Sequence, residues 1–177
     1  MIDGHGDPNT ATAYREAVEA LYALSYALRF ALTKAQGLEY RVGPLEGLWW
    51  ADDMAEFSAE RKSDWNWTMM IGQPNTVTDE WVDRVRDEVG RKKRLAVLPG
   101  VRLARLDEGL SAQVLHVGPI SAEGPTTTLL HEFIRARGYT FHGVRQKHHE
   151  IYLSDPRRTA PETWKTIIRQ PVVAPSN

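Results

Sequence analysis

The chain has 177 residues, with 22 Lys plus Arg against 23 Asp plus Glu and a formal net charge of −1. At 42% hydrophobic and 25% charged, it reads as a folded globular protein, which excludes a disordered, collagen-like or phosphate-neutralising chain. The absence of cysteine removes thiolate catalysis, iron–sulfur clusters and cysteine zinc sites, and fits a reducing compartment.

The opening residues, Met1 to Gly6, are too polar for a signal peptide. The greasiest run, Leu21 to Leu32, is interrupted by Ser25 and Arg29. It falls short of the roughly 20 apolar residues a spanning helix needs. A cytoplasmic protein is expected. Asp7-Pro8-Asn9-Thr10 reads as a turn in which Asn9 or Thr10 caps a helix over Ala11 to Gln36. Tyr14, Val18, Tyr22, Tyr26 and Phe30 recur every four residues beside Leu21, Leu24, Leu28 and Leu32. Together they predict one broad buried stripe, and Gly37 is a natural stop.

Strands are predicted over Leu38 to Val42 and Leu45 to Trp50, broken by Gly43-Pro44. Asp52 to Ser63 reads as a loop with a helical turn, and Trp65 to Ile71 alternates as a strand. Thr78 is a candidate N-cap for a helix with Asp79 and Glu80 near its positive dipole end, closed by Gly90. The basic run Arg91 to Arg94 is read as the solvated end of that helix rather than a nucleic-acid contact. Val101 to Leu106 and Leu110 to Val117 are predicted strands, and Pro125 to Arg137 an amphipathic helix ended by Gly138. Tyr139 to Val144 with His148 to Leu153 reads as a hairpin, and Thr166 to Val173 as a last strand.

This order is a strand-helix-strand-strand unit given twice. The expected fold class is α+β: two pseudo-symmetric βαββ modules forming antiparallel sheets, with helices on one side and a central ligand groove on the other. The repeats are placed at about 1–76 and 99–177 of a single domain, joined by a helix over about 78–92. Two rhymes support this. Met69 to Pro74 matches Ile151 to Pro156 in pattern, and both first strands run into a Gly/Pro turn at Gly6-Asp7-Pro8 and Gly118-Pro119. Aligning Pro74 with Pro156 predicts Trp67, Met69 and Ile71 on the helix-packed face with His149, Ile151 and Leu153. Asn66, Thr68 and Met70 then share the groove face with His148, Glu150 and Tyr152.

The runs Pro44-Leu45-Glu46-Gly47-Leu48-Trp49-Trp50-Ala51-Asp52-Asp53, Trp65 to Met70 and His148 to Arg158 resemble the GyrI-like small-molecule-binding family, most nearly its stand-alone bacterial members. The resemblance implies a duplicated strand-helix-strand-strand fold with a central ligand groove. In drug-sensing members a buried Glu on a strand and surrounding aromatics hold lipophilic cations, and Glu150 is the position matching that motif. Other members resemble hydrolases that open the cyclopropane of DNA-alkylating natural products.

The expected ligand-binding residues are Glu150, Tyr152, Trp50, Trp49, Met70 and His148. Trp49 and Trp50 point to opposite faces, so at most one lines the groove, and Trp50, which shares its face with Glu46 and Leu48, is favoured. Trp65, Trp67 and Trp81 are read as core, and Trp164 has no assigned face. A carboxylate among aromatics suits an organic cation. The expected function is therefore binding of aromatic, lipophilic, often cationic small molecules. The alternative is a hydrolase of strained electrophiles in which Glu150 activates water. His148-His149-Glu150 is not read as a metal site, since adjacent strand residues diverge. No cofactor, nucleic acid or membrane partner is expected, and the chain is a monomer or homodimer.

Overall fold

A computed structural model describes residues 1–54 and 57–175. Two residues of the loop predicted over Asp52 to Ser63 lie outside them. The described chain forms one antiparallel sheet of six strands with three α-helices. The strands are β1 (Ile2–His5), β2 (Leu45–Trp50), β3 (Asn66–Ile71), β4 (Ser111–Val117), β5 (His148–Tyr152) and β6 (Lys165–Pro171). Their order across the sheet is β1-β3-β2-β5-β6-β4. The α+β duplication thus stands: each half contributes three strands, and the halves join at the β2–β5 seam.

Helix α1 (Thr12–Gln36) buries its leucine row, with Leu21, Leu24, Leu28 and Leu32 in one core with Trp49, Trp67 and Met69. Each fully buried leucine stabilises the fold by roughly 1.5–3 kcal/mol. The aromatic row behaves otherwise, because Tyr26 is 46% and Phe30 66% exposed. The predicted stripe is therefore two stripes, one facing the sheet and one turned aside. Gly37 ends the helix in the left-handed region (φ 67°), where it costs a glycine little. No side chain caps the helix start at Ala11. Asp7 accepts instead from Asn9 within the preceding turn.

Helix α2 (Asp79–Lys92) starts as predicted, the Thr78 hydroxyl accepting from the Trp81 N–H. It runs through Gly90 to Lys92. Helix α3 (Gly124–Ala136) covers the second half, burying Leu130 and Ile134 against Ile168. Three predicted strands fail. Residues 38–42 are unpaired, since both neighbours of β2 are already taken by β3 and β5. Residues 101–106 run unpaired apart from a reciprocal backbone bond between Met1 and Arg102. Of Tyr139 to Val144, only Thr140 bridges, to Val173.

The register also corrects the predicted faces. Glu46 is opposite both Met70 and Ile151, while Gly47 is opposite both Met69 and Glu150. Trp67, Met69 and Ile71 therefore share a face with His148, Glu150 and Tyr152, and that face carries the helices. The Pro74–Pro156 rhyme aligned β3 with β5, which are not equivalents, and a side-chain period of two turns an odd shift into a change of face. The true equivalence is in the turns. The N–H of Gly6 donates to the Trp65 carbonyl at 2.8 Å, and that of Gly118 to the Trp164 carbonyl at 2.9 Å. Trp67 and Thr166 follow at the same step, and they pair with Trp49 and Tyr152 respectively. Trp49 and Tyr152 are thus counterparts, as are Gly47 and Glu150.

Candidate functional site

The β2–β5 seam brings the counterparts Trp49 and Tyr152 into contact. The indole Nε1–H of Trp49 donates to the Tyr152 hydroxyl at 3.1 Å. That hydroxyl donates to Oε2 of Glu150 at 2.7 Å, and His148 Nε2 lies 3.0 Å from Oε1. Strand alternation puts all four on one face. Both Glu150 oxygens are engaged although the residue is only 9% exposed, as a buried carboxylate requires. Burial pulls the Glu150 carboxyl upward, but His148, Tyr152 and the Lys62 charge outweigh it and hold it below the ordinary glutamate value. Burial and the neighbouring Glu150 charge push the Tyr152 phenol well above its usual range. The same two causes raise Tyr14.

Aromatic rings surround this carboxylate. Tyr14 on α1 lies 6.0 Å from Trp49 and edge-on to Trp67 at 5.5 Å. Trp65 meets Trp49 at 5.7 Å and stacks on Phe57 at 4.6 Å, while Phe57 is 6.3 Å from His148. The Lys62 ammonium sits 5.5 Å over the Trp65 ring. Such centroid distances are those of attractive ring pairs and cation–π contacts.

A second carboxyl completes the site. Glu123, just before α3, is 6% exposed. Burial and the Glu150 charge push it up to about 8, against weaker opposing effects of Thr166 and Lys62. Two neighbouring carboxyls with proton affinities driven apart are an acid and its conjugate partner side by side. Sequence reasoning missed Glu123, because an acid just ahead of a helix reads as a cap. Its Oε1 finds no hydrogen-bond partner among the described residues.

A cavity of about 1130 Å³ opens beside these groups, with Tyr14, Tyr152 and Thr166 at one part of its wall. Tyr22, Tyr26 and Phe30 of α1 line it on one side and Trp164 contributes from the second half. The exposed aromatic row of α1 is therefore a cavity wall. Trp164, without a face in the sequence, acquires one here. Glu150 is not itself on the wall; it accepts from Tyr152, which is.

A model of the GyrI-like small molecule binding domain matches residues 1–173. The chain belongs to the GyrI-like family. Its GyrI-like fold is also that of a solved structure of an uncharacterized conserved protein from Listeria innocua, at 37% identity and TM-score 0.89. A solved hydrolase from Listeria innocua matches at 37% identity with TM-score 0.79, and a further hydrolase structure from that organism at 37% and 0.81. In each case the match covers 97% of this chain and 85% of the other. Comparison with curated proteins gives no match.

Of the predicted GyrI-like site residues, Glu150, Tyr152, His148 and Trp49 come together. Trp50 and Met70 do not. Trp50 projects from the opposite face under the Lys147 ammonium, 3.4 Å from its ring centroid. Met70, on that same face opposite Glu46, lines a separate cavity of about 870 Å³. Trp49 joins the Glu150 cluster and Trp50 does not, while neither lines the larger cavity. Among the described residues, no group of three or more His, Asp or Glu is placed to share a metal ion. No helix among them is long and apolar enough to cross a membrane.

Proposed function

We propose that this GyrI-like domain binds aromatic, lipophilic cations, with Glu150 as the buried counter-ion and Tyr14, Trp49, Trp65 and Tyr152 as the aromatic surround. One observation carries the reading: a buried carboxylate with both oxygens engaged is bonded to Tyr152, which together with Tyr14, Tyr22, Tyr26, Phe30 and Trp164 walls a large cavity. Each ring facing a cation contributes about 0.5–2 kcal/mol, and the fixed carboxylate neutralises the charge without reorganising.

Titration with a lipophilic dye cation, followed by tryptophan fluorescence, tests it. Removing a charge-assisted partner costs about 1.5–3 kcal/mol, so Glu150→Gln is expected to weaken binding by roughly ten- to a hundredfold. Unchanged affinity refutes the counter-ion role.

A second reading, hydrolysis of a strained electrophile such as a cyclopropane-bearing alkylator, is favoured by the two solved relatives called hydrolases. In that chemistry Glu150 takes a proton from water while the oxygen bonds to a ring carbon. The ring C–C bond breaks, and its electron pair passes to the conjugated carbonyl oxygen, which a Tyr or His polarises and protonates. A carboxylate held below the usual range is a weaker base, which ranks this reading second. Mass spectrometry of such an alkylator after incubation decides it: no enzyme-dependent gain of water rejects turnover.

A further inference from the structure

Two acids share the inner site, and Glu123 meets both Thr166 and the Glu150 carboxyl by hydrogen bonds. Glu150 accepts from His148 and Tyr152. Glu123 is buried beside it, near Thr166, with Oε1 lacking any partner among the described residues. Each element packed around them presents a titratable group. His148 and Tyr152 come from β5, Tyr14 from α1, Lys62 from the 3-10 segment ahead of β3, and Glu123 from the start of α3. His131 on α3 in turn feels the His148 charge. Lys62 is the lysine whose charge reaches both acids, and its ammonium already lies over Trp65.

Two adjacent carboxylates cannot both stay ionised in a buried site without a cation to offset the second charge. A ligand cation would provide that offset. We infer that Glu123 holds an exchangeable proton beside the Glu150 carboxylate, and that an aromatic cation entering the cavity displaces it, so that ligand binding and proton release are one event. The O–H bond of Glu123 breaks, its electron pair stays on the carboxylate, and the proton leaves to solvent. The site thus changes from one negative charge to two as it accepts one positive charge. Because burial and the Glu150 charge push Glu123 up to about 8, the exchange operates around neutral pH. The inference rests on the cation-binding reading above and adds a linkage that a simple counter-ion lacks.

The linkage fixes the pH dependence. A cation favours the deprotonated form, so affinity rises with pH while Glu123 is protonated in the free protein. It levels off once Glu123 has lost its proton unaided. A neutral ring of the same shape has no such preference.

Calorimetric titration of the wild-type chain tests this, with N-methylacridinium as a permanent cation and acridine as its uncharged analogue. Each is run at about pH 7 in two buffers of different ionisation enthalpy, which yields the proton count directly. N-methylacridinium is expected to release close to one proton near pH 7 and almost none near pH 9, while acridine releases none. Affinity for the cation is expected to climb by up to about tenfold per pH unit below pH 8. Glu123→Gln should abolish both the release and the climb. Cation binding with no proton release, in wild type, overturns the exchange and leaves the counter-ion reading intact. Failure of both probes to bind at any pH overturns that reading and the exchange with it. Proton release that persists in a folded Glu123→Gln chain overturns the assignment to Glu123.

Discussion

At the level of single residues, the site depends on a short chain of donors from Trp49 through Tyr152 to Glu150. Tyr152→Phe removes the middle link and leaves Oε2 of a buried carboxylate without its partner. The expected cost is about 1–3 kcal/mol of stability, read as a lower urea midpoint with unchanged slope. Glycines make room for the large rings. A Cβ on Gly4 would fall 2.0 Å from Cη2 of the Trp67 indole, whose ring is essentially fully buried. Gly4 has an ordinary φ, so the obstacle is steric rather than conformational. Gly4→Ala is expected to destabilise the fold by about 1–3 kcal/mol through overpacking, measured by the same denaturation. At this scale Glu150 and Tyr152 were legible, because their alternation along one strand places them on a common face. Glu123 was not: its importance comes from a neighbour 27 positions away in sequence, and no local pattern encodes that meeting.

The elements are tied on the sheet's second face by a buried histidine. His149 on β5 is fully buried, with Nδ1 2.9 Å from Glu108 and Nε2 3.0 Å from Glu46. Arg169 on β6 also reaches Glu108, at 3.3 Å. Glu108 belongs to the unpaired segment ahead of β4, so this cluster fastens that segment to the sheet. Burial lowers the His149 value, but the two carboxylates outweigh it and the net shift is upward from 6.5. Its stabilisation is therefore complete below about 6.5 and fades as pH rises through the elevated folded value. For Glu108, burial raises the value while His149 and Arg169 prevail and lower it from 4.5. Its contribution is present above about 4.5 and fades as pH falls through the depressed folded value. The clasp is strongest between those limits. Glu108→Gln should cost about 3 kcal/mol there, the scale for breaking one side of a buried pair. The loss should shrink on the alkaline side, followed as melting temperature against pH. The sequence reading took residues 101–106 for a strand because β-formers alternate there. In the fold this segment meets the β1 end of the sheet only through the reciprocal Met1–Arg102 backbone bonds, too few for a ladder.

For the molecule as a whole, the two halves make one sheet and the larger cavity lies on its helix-bearing side. The aromatic row of α1 shows how far a sequence pattern reaches. Periodicity says which residues share a helix face, but only the packing of the second half says whether that face meets core or cavity. Tyr26→Ser with Phe30→Ser removes two exposed rings from the cavity wall. The double variant is expected to keep its stability within about 0.5 kcal/mol, as surface changes do, while weakening a dye cation several-fold. Equal loss of stability and affinity would instead place those rings in the core. A saturating ligand should also raise stability, by about 2.7 kcal/mol at a hundredfold excess over Kd, read as a shift in melting temperature.

Gly47 faces Glu150 directly across the seam, and the two are counterparts in the repeat. The pseudo-twofold axis therefore passes through this pair. In a dimer of identical halves, any residue on that axis meets its own copy. A glutamate would confront a glutamate at strand-pair distance, and a glycine would bring no charge at all. Only halves that have diverged, as these two have, can set one carboxylate against an empty place. The divergence of the two modules is in that sense a chemical requirement of the site, since a lone buried anion on the axis cannot be built from perfect symmetry.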